Sequence, residues 1–137
     1  YDCPGPAALF PIYPVISTKA LAKPEDNAVV AMLYEKMFGE NAMQEIMESY
    51  NVDSHVTDHY PPCFIACCAD DDCISPLNSK ILAKALQDKK VPVQLRIYEK
   101  GGHGFGTGEG TDAWGWISEA VRFYETQREL LHVQVFG

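Results

Sequence analysis

The chain has 137 residues, enough for one domain, and 47% of them are hydrophobic, so it can build a real core and is not disordered. Its 19 acidic and 11 basic side chains give a formal charge of −8, which argues against nucleic acid or an anionic membrane as a partner. No apolar run reaches the roughly 20 residues of a membrane span, and we see no signal-type segment, so we expect a soluble, cytoplasmic protein.

The first element is the apolar segment 7–13, Ala-Ala-Leu-Phe-Pro-Ile-Tyr. Such a run predicts a strand buried on both faces, as found inside a parallel sheet covered by helices. Because a chain rarely begins with so deep a strand, we expect further strands to precede it.

Two helices are predicted next. Residues 26–38 have apolar side chains at helical spacing, with Gly39 placed to end the helix, and a second helical stretch begins at Asn41. The apolar positions of the two helices are Val29, Val30, Leu33 and Met37, then Met43, Ile46, Met47 and Tyr50. Residues 51–62 are predicted to be irregular, and His55 and His59 within them lack the helical pattern that would favour a metal pair.

The segment 63–69 is a second apolar run, which predicts a buried central strand, and the aspartates at 70–72 end it. The strand region holds most of the cysteines, namely Cys63, Cys67, Cys68 and Cys73. Their close spacing suits neither a disulfide framework nor a zinc site, so we interpret them as free, mostly buried thiols in a reducing compartment.

The remaining elements follow in alternation. Ser75 and Pro76 predict a helix start, and the helix has one apolar stripe. Residues 93–98 alternate apolar and polar side chains, which places this third strand nearer the sheet edge. A last helix is predicted from a Thr111 cap, leaving residues 130–137 unassigned. The two helical stripes are Leu77, Ile81, Leu82, Ala85 and Leu86, then Trp116, Ile117, Ala120 and Tyr124.

This order predicts an α/β fold of three mostly parallel strands with flanking helices. In such sheets the carboxyl ends of the strands share one edge, where sites form. Asp70, Asp71 and Asp72 follow the second strand, and His103 follows the third within the glycine-rich segment 100–106. The aspartates and the histidine are therefore expected to meet.

An aspartate hydrogen-bonded to a histidine forms two-thirds of a nucleophilic triad, because the carboxylate fixes the tautomer of the imidazole. The third member is missing: no Gly-x-Ser-x-Gly occurs in the sequence, and no serine or cysteine lies in a strand-turn-helix elbow. A metal or phosphate site on the aspartates is a weaker alternative, since no glycine-rich phosphate loop or second acidic cluster accompanies them.

Four segments carry a family resemblance: 9–17, 61–65, 70–79 and 91–106, with Cys67 and Cys68 between the second and third departing from the usual residues of the family. They resemble, in order, the strand after the nucleophile helix, the strand and acid loop, and the last strand with the catalytic-histidine loop of an α/β-hydrolase. The group is that of esterases, lipases and acetyl-xylan-esterase-like enzymes related to prolyl oligopeptidase. The resemblance implies that residues 1–137 form a single, partial α/β-hydrolase domain, the C-terminal part, without the N-terminal strands and the nucleophile elbow.

The resemblance also implies roles for individual residues. His103 matches the general base of the family. The acid of the family usually lies three residues before a hydrophobic position, which Ile74 occupies, so Asp71 is the expected acid and Asp70 the runner-up. Asp72 is expected to be a solvated loop residue. Phe105 and Trp114 either border the pocket or, as we prefer, pack the last helix on the sheet.

The function implied is the acid-and-histidine half of a serine carboxylic-ester hydrolase, with its nucleophilic serine upstream of this chain. Small acyl esters, acetylated sugars among them, are the expected substrates, and no cofactor or metal is expected. The chain alone would be inactive. The alternative is a non-catalytic fragment that associates, with itself or with the missing half, through the exposed edge of the segment 7–13.

Overall fold

The computed structural model describes residues 5–21, 28, 31–32, 35–36, 39 and 48–136, with side chains as far as Leu130. Its regular elements alternate as strand β1 (Cys63–Cys68), helix α1 (Leu77–Asp88), strand β2 (Val93–Tyr98) and helix α2 (Trp116–Phe136). The strands are parallel, from Cys63 opposite Val93 to Cys68 opposite Tyr98. This is the predicted α/β fold with parallel strands. Short 3-10 helices at Thr18–Ala20 and Val52–His55 precede β1.

The segment 7–13 runs parallel to β1 on the side away from β2, but its ladder is broken. Leu9 bridges Cys63 and Ile12 bridges Ala66, in one constant register. Between the two bridges, Pro11 accepts a hydrogen bond from the Ala66 N–H at 3.1 Å. Proline has no N–H to donate in return, so one bond of the regular parallel pattern is lost.

Strand β1 and the segment 7–13 were both predicted to be buried, but they differ in solvent exposure. All six residues of β1 are at most 1% exposed, as predicted. The prediction that segment 7–13 is buried on both faces is wrong, because Phe10 is 43% exposed and Leu9 is only partly buried. The segment ends at Tyr13, whose φ of +42° takes the backbone out of the extended conformation.

Helices α1 and α2 cover opposite faces of the sheet, because alternate side chains of β1 belong to different clusters. One cluster joins β1 to α1 through Cys63, Ile65, Leu82, Ala83 and Leu86. The other joins β1 to α2 through Phe64, Ala66, Ala120 and Phe123. As predicted, β2 is less buried than β1.

Helix α1 buries most of its predicted apolar stripe, with Leu82 and Leu86 at most 1% exposed, but its first turn departs from that pattern. Leu77 is 46% exposed, whereas Asn78 and Ser79 are at most 1% exposed. The reason is hydrogen bonding: the Asn78 Oδ1 accepts from the backbone N–H of Ile16 at 2.9 Å and of Ser17 at 3.1 Å. Apolar periodicity cannot detect a polar residue that is buried because it has partners.

Helix α2 begins at Trp116, five residues after the predicted cap, and continues to Phe136 through most of the segment that was left unassigned. Thr111 instead closes a turn within the preceding loop. Its hydroxyl donates to the Gly108 carbonyl at 2.8 Å and accepts from the Ala113 N–H at 3.1 Å. The threonine is therefore a capping residue of a turn rather than of the helix.

The two helices predicted before residue 51 fall mostly outside the described residues, including their apolar positions up to Met47. Residues 28, 31–32 and 35–36 are helical. Gly39 has a φ of +76°, and its N–H donates to the Glu35 carbonyl at 2.9 Å, as expected of a residue that ends a helix. Of the helices described, none has the length and apolar character needed to cross a membrane.

Candidate active site

Because β1 and β2 are parallel, the loops that follow them lie at the same edge of the sheet. Asp71 follows β1 and His103 follows β2, and the Asp71 Oδ2 lies 2.8 Å from the His103 Nδ1. The Asp71 side chain is completely buried, while the imidazole is 34% exposed. With Nδ1 hydrogen-bonded to a carboxylate, the neutral ring carries its proton on Nδ1 and leaves Nε2 as a base.

The second oxygen of Asp71 fixes its own loop. Oδ1 accepts from the backbone N–H of Cys73 at 3.0 Å and of Ile74 at 2.8 Å. The Ile74 side chain is buried, so it anchors the loop that presents the carboxylate. The three-residue spacing between Asp71 and Ile74 thus has a physical reason, because the Asp71 carboxylate accepts from the amide of a residue whose side chain is held in the core.

Asp70 contacts the histidine loop by a different route. Its carboxylate accepts from the Gly101 N–H at 3.0 Å and from the Gly102 N–H at 2.8 Å. The imidazole is therefore hydrogen-bonded to Asp71, whereas Asp70, the runner-up acid, accepts from the backbone amides one and two residues before the histidine. The catalytic roles of Asp71 and His103 stay predictions, but this geometry favours Asp71 as the acid.

The loop after β2 depends on glycine at defined positions. A Cβ on Gly101 would lie 2.6 Å from the Cys68 Sγ, so the close approach of the loop to β1 requires glycine there. Gly102 and Gly104 on either side of the histidine have φ values of +62° and +72°, which favour glycine. The sequence pattern of a glycine-flanked histidine thus reflects real backbone demands.

Further hydrogen bonds tie the same loop to its surroundings. Lys100 and Asp112 are joined twice: the Lys100 N–H donates to the Asp112 carboxylate and the Asp112 N–H donates to the Lys100 carbonyl, both at 3.0 Å. At the start of α2, the Trp116 Nε1 donates to the Gly106 carbonyl at 2.8 Å. The histidine therefore lies on a loop fixed from several sides.

The imidazole of His103 contacts the end of an aromatic cluster. Tyr13 contacts His103 with ring centroids 4.9 Å apart, and Phe105 contacts both Tyr13 at 5.0 Å and Trp116 at 6.3 Å. Phe105 thus packs α2 against the sheet, as we preferred. Trp114 does not, because it is 65% exposed. Sequence reasoning missed Tyr13, although a tyrosine-proline pair at the end of an apolar run was a signal available in the sequence.

The cysteines of β1 and of the loop that follows it are poorly suited to act as nucleophiles. Cys63, Cys67, Cys68 and Cys73 are all free, and the first three are buried. Burial raises the pKa of Cys63 and of Cys68 to about 11. The pKa of Cys73 is raised by desolvation and by the carboxylates of Asp72 and Asp71. Because the thiolate is the reactive form, raised pKa values disfavour attack by these thiols.

The weaker metal hypotheses gain little from the geometry. Asp71, Asp72 and Cys73 offer ligand atoms within 4.8 Å of one another, but both oxygens of Asp71 already accept hydrogen bonds from protein groups. The His55 Nε2 lies 2.7 Å from the Ser49 carbonyl oxygen, so this ring nitrogen is already hydrogen-bonded. His59 is 94% exposed. None of these arrangements supplies a metal centre within the described part of the chain.

The chain is similar in structure and in sequence to several known proteins. An acetyl ester-xyloside bifunctional hydrolase from Caldicellulosiruptor lactoaceticus is similar in structure, with a TM-score of 0.68 and 26% identity over 86% of this chain and 43% of that chain. A sugar hydrolase, YeeB, from Lactococcus lactis is also similar in structure. Its TM-score is 0.68 and its sequence identity 26%, over 92% of this chain and 50% of that chain. Endo-1,4-beta-xylanase B of Butyrivibrio fibrisolvens is 27% identical over 116 residues, which are 85% of this chain and 17% of that protein.

The fold and its structural relatives define an α/β-hydrolase. The model of the prolyl oligopeptidase family matches residues 8–129, and the chain belongs to that family. The chain spans half or less of the length of these relatives. Both structural relatives are described as hydrolases.

Proposed function

We propose that this chain supplies the acid and the base of a serine carboxylic-ester hydrolase that acts on small acyl esters, including acetylated sugars. Asp71 is the acid and His103 the base. The observation that carries the proposal is the 2.8 Å hydrogen bond between the buried Asp71 carboxylate and the His103 Nδ1, at the carboxyl edge of a parallel sheet.

In this mechanism His103 acts through its Nε2. The nitrogen accepts the proton of a serine hydroxyl as the serine oxygen attacks the ester carbonyl, and later donates it to the departing alcohol. Asp71 orients the ring and stabilises the imidazolium formed between these steps. A water molecule, activated by the same nitrogen, then hydrolyses the acyl-serine.

The serine and the oxyanion hole are proposed to lie on the half of the domain that this chain does not span. The sequence has no Gly-x-Ser-x-Gly, and the relatives are about twice as long. The substrate class is supported by one relative, which is described as an acetyl ester-xyloside hydrolase.

The free edge of segment 7–13 is the proposed contact with that half. Within the described residues, the segment pairs only with β1, through the bridges at Leu9 and Ile12. Its other edge offers backbone groups for a further strand, and pairing there would extend the sheet. Association of two copies through the same edge is the alternative, and it predicts a dimer of the chain in solution.

The test uses the full-length gene product and p-nitrophenyl acetate. We expect His103→Ala to lower kcat by about a thousandfold or more, and Asp71→Asn by about a hundredfold or more, because the mutated amide favours the wrong tautomer. Serine labelling with a fluorophosphonate should succeed with the full-length protein and fail with the 137-residue chain. Unchanged turnover in His103→Ala would refute the proposal, as would a labelled serine within this chain.

A further inference from the structure

Tyr13 has a backbone conformation that a bulky side chain rarely adopts. Its φ is +42°, in the left-handed region, where a large residue is strained unless its surroundings compensate. One compensation is visible: the Tyr13 N–H donates to the Ala66 carbonyl at 2.7 Å, which fixes the peptide against β1. Strain of this kind is concentrated at functional sites, so the outlier calls for a functional explanation.

The conformation changes the face of the sheet on which the ring lies. Leu9 packs with the cluster under α1, and Ile12 packs with the cluster under α2. Regular alternation would therefore put Tyr13 on the α1 face. Its ring instead contacts Phe105, which packs with the α2 cluster. The left-handed turn thus directs the ring across the carboxyl edge of the sheet.

In that position the ring meets the candidate base. The Tyr13 and His103 centroids are 4.9 Å apart with the planes at 62°, an edge contact, and Tyr13 also meets Phe105 edge-on at 5.0 Å. The bond from Asp71 fixes one nitrogen of the imidazole but leaves the ring free to tilt about that bond. The contact with the Tyr13 ring limits this tilting of the imidazole.

From this geometry we infer that Tyr13 is a positioning residue, whose ring holds the His103 imidazole so that Nε2 faces the reacting serine. The inference rests on the proposed function, since it assigns Tyr13 a task only if His103 is the base. It depends on the aromatic ring and not on the hydroxyl. A base displaced by a fraction of an ångström loses proton-transfer efficiency, whereas substrate binding changes little.

The experiment compares Tyr13→Phe, Tyr13→Ala and Tyr13→Leu in the full-length protein. We expect Tyr13→Phe to keep kcat close to that of the unsubstituted protein, because it keeps the ring. Tyr13→Ala should lower kcat about tenfold to a hundredfold with KM nearly unchanged. Tyr13→Leu keeps apolar volume without a flat edge, and should lose kcat while folding normally, as judged by circular dichroism.

A second measurement does not depend on turnover. Diethyl pyrocarbonate acylates exposed imidazoles, and mass spectrometry reads the modification of each histidine separately. Loss of the Tyr13 ring should raise the modification rate of His103 several-fold in Tyr13→Ala and leave it unchanged in Tyr13→Phe. His59, which is 94% exposed, provides an internal reference. Tyr50→Ala, which removes a tyrosine ring that is 58% exposed and belongs to neither of the two site loops, is the matched control and should change neither measurement.

Two outcomes would overturn the inference. One is parental kcat and parental His103 modification in both Tyr13→Ala and Tyr13→Leu. The other is a loss in Tyr13→Phe as large as that in Tyr13→Ala, which would assign the role to the hydroxyl. Failure of the proposed function would look different, because His103→Ala itself would then retain full turnover.

Discussion

Asp70 and Asp71 are identical side chains in adjacent positions, and their hydrogen-bond partners give them different tasks. Asp71 is buried and joins the His103 ring to its own loop. Asp70 is exposed and binds two backbone amides of the neighbouring loop, at Gly101 and Gly102. The first carboxylate contacts the imidazole of His103 directly, and the second fixes the backbone from which that imidazole projects.

Removal of the Asp70 carboxylate should therefore loosen the histidine loop. We expect Asp70→Ala to lower the free energy of unfolding by about 1 kcal/mol and kcat by a few-fold, because two amides lose a charged acceptor but stay accessible to water. Asp70→Asn keeps an acceptor oxygen and should lose less. Urea unfolding and p-nitrophenyl acetate turnover measure the two effects. Glu109→Ala, an equal charge change at an exposed position of the same loop, is the control. Equal changes in the free energy of unfolding and in kcat for Asp70→Ala and Glu109→Ala would contradict the proposal that Asp70 holds the histidine loop.

At the scale of elements, the sequence predicted what apolar pattern and turn chemistry determine, and missed what tertiary partners determine. The buried run of β1 and the alternation of β2 gave the correct strands, and parallel pairing then brought Asp71 and His103 to one edge. The apolar pattern did not show that Pro11 interrupts the ladder beside β1, or that Asn78 in the first turn of α1 is buried because it accepts backbone hydrogen bonds. Both depend on which backbone groups lie opposite, which a single sequence does not state.

The contact of Asn78 should make a large contribution to stability for a polar side chain. Its Oδ1 satisfies the amides of Ile16 and Ser17, and its Nδ2 donates to the Ser75 carbonyl at 3.2 Å. We expect Asn78→Ala to destabilise the protein by about 2–4 kcal/mol, because two amides are left buried without an acceptor. Thermal and urea unfolding measure the loss. Lys80→Ala, at an exposed position of the same helix, serves as the control. If Asn78→Ala loses no more stability than Lys80→Ala, water replaces the side-chain amide of Asn78.

For the molecule as a whole, the core is centred on β1, which contacts both α1 and α2 through alternate residues. Three of its six side chains are cysteines. A thiol packs as a small apolar group only while it is protonated. The integrity of the core should therefore depend on pH in the alkaline range, through the ionisation of these thiols.

The pKa values give the direction of this dependence. Burial raises the pKa of Cys63 from 9.0 to about 11. Because the unfolded chain loses this proton first, the thiol contributes its full stability below pH 9.0, and the contribution is lost as the pH rises to about 11. The loss should approach about 1.4 kcal/mol per pH unit for this thiol. Urea unfolding measured across this range should show a shallower decline in Cys63→Ala, which is less stable than the parent at neutral pH because it leaves a cavity. Parallel declines in the parent and in Cys63→Ala would show that Cys63 ionises equally in the folded and unfolded states.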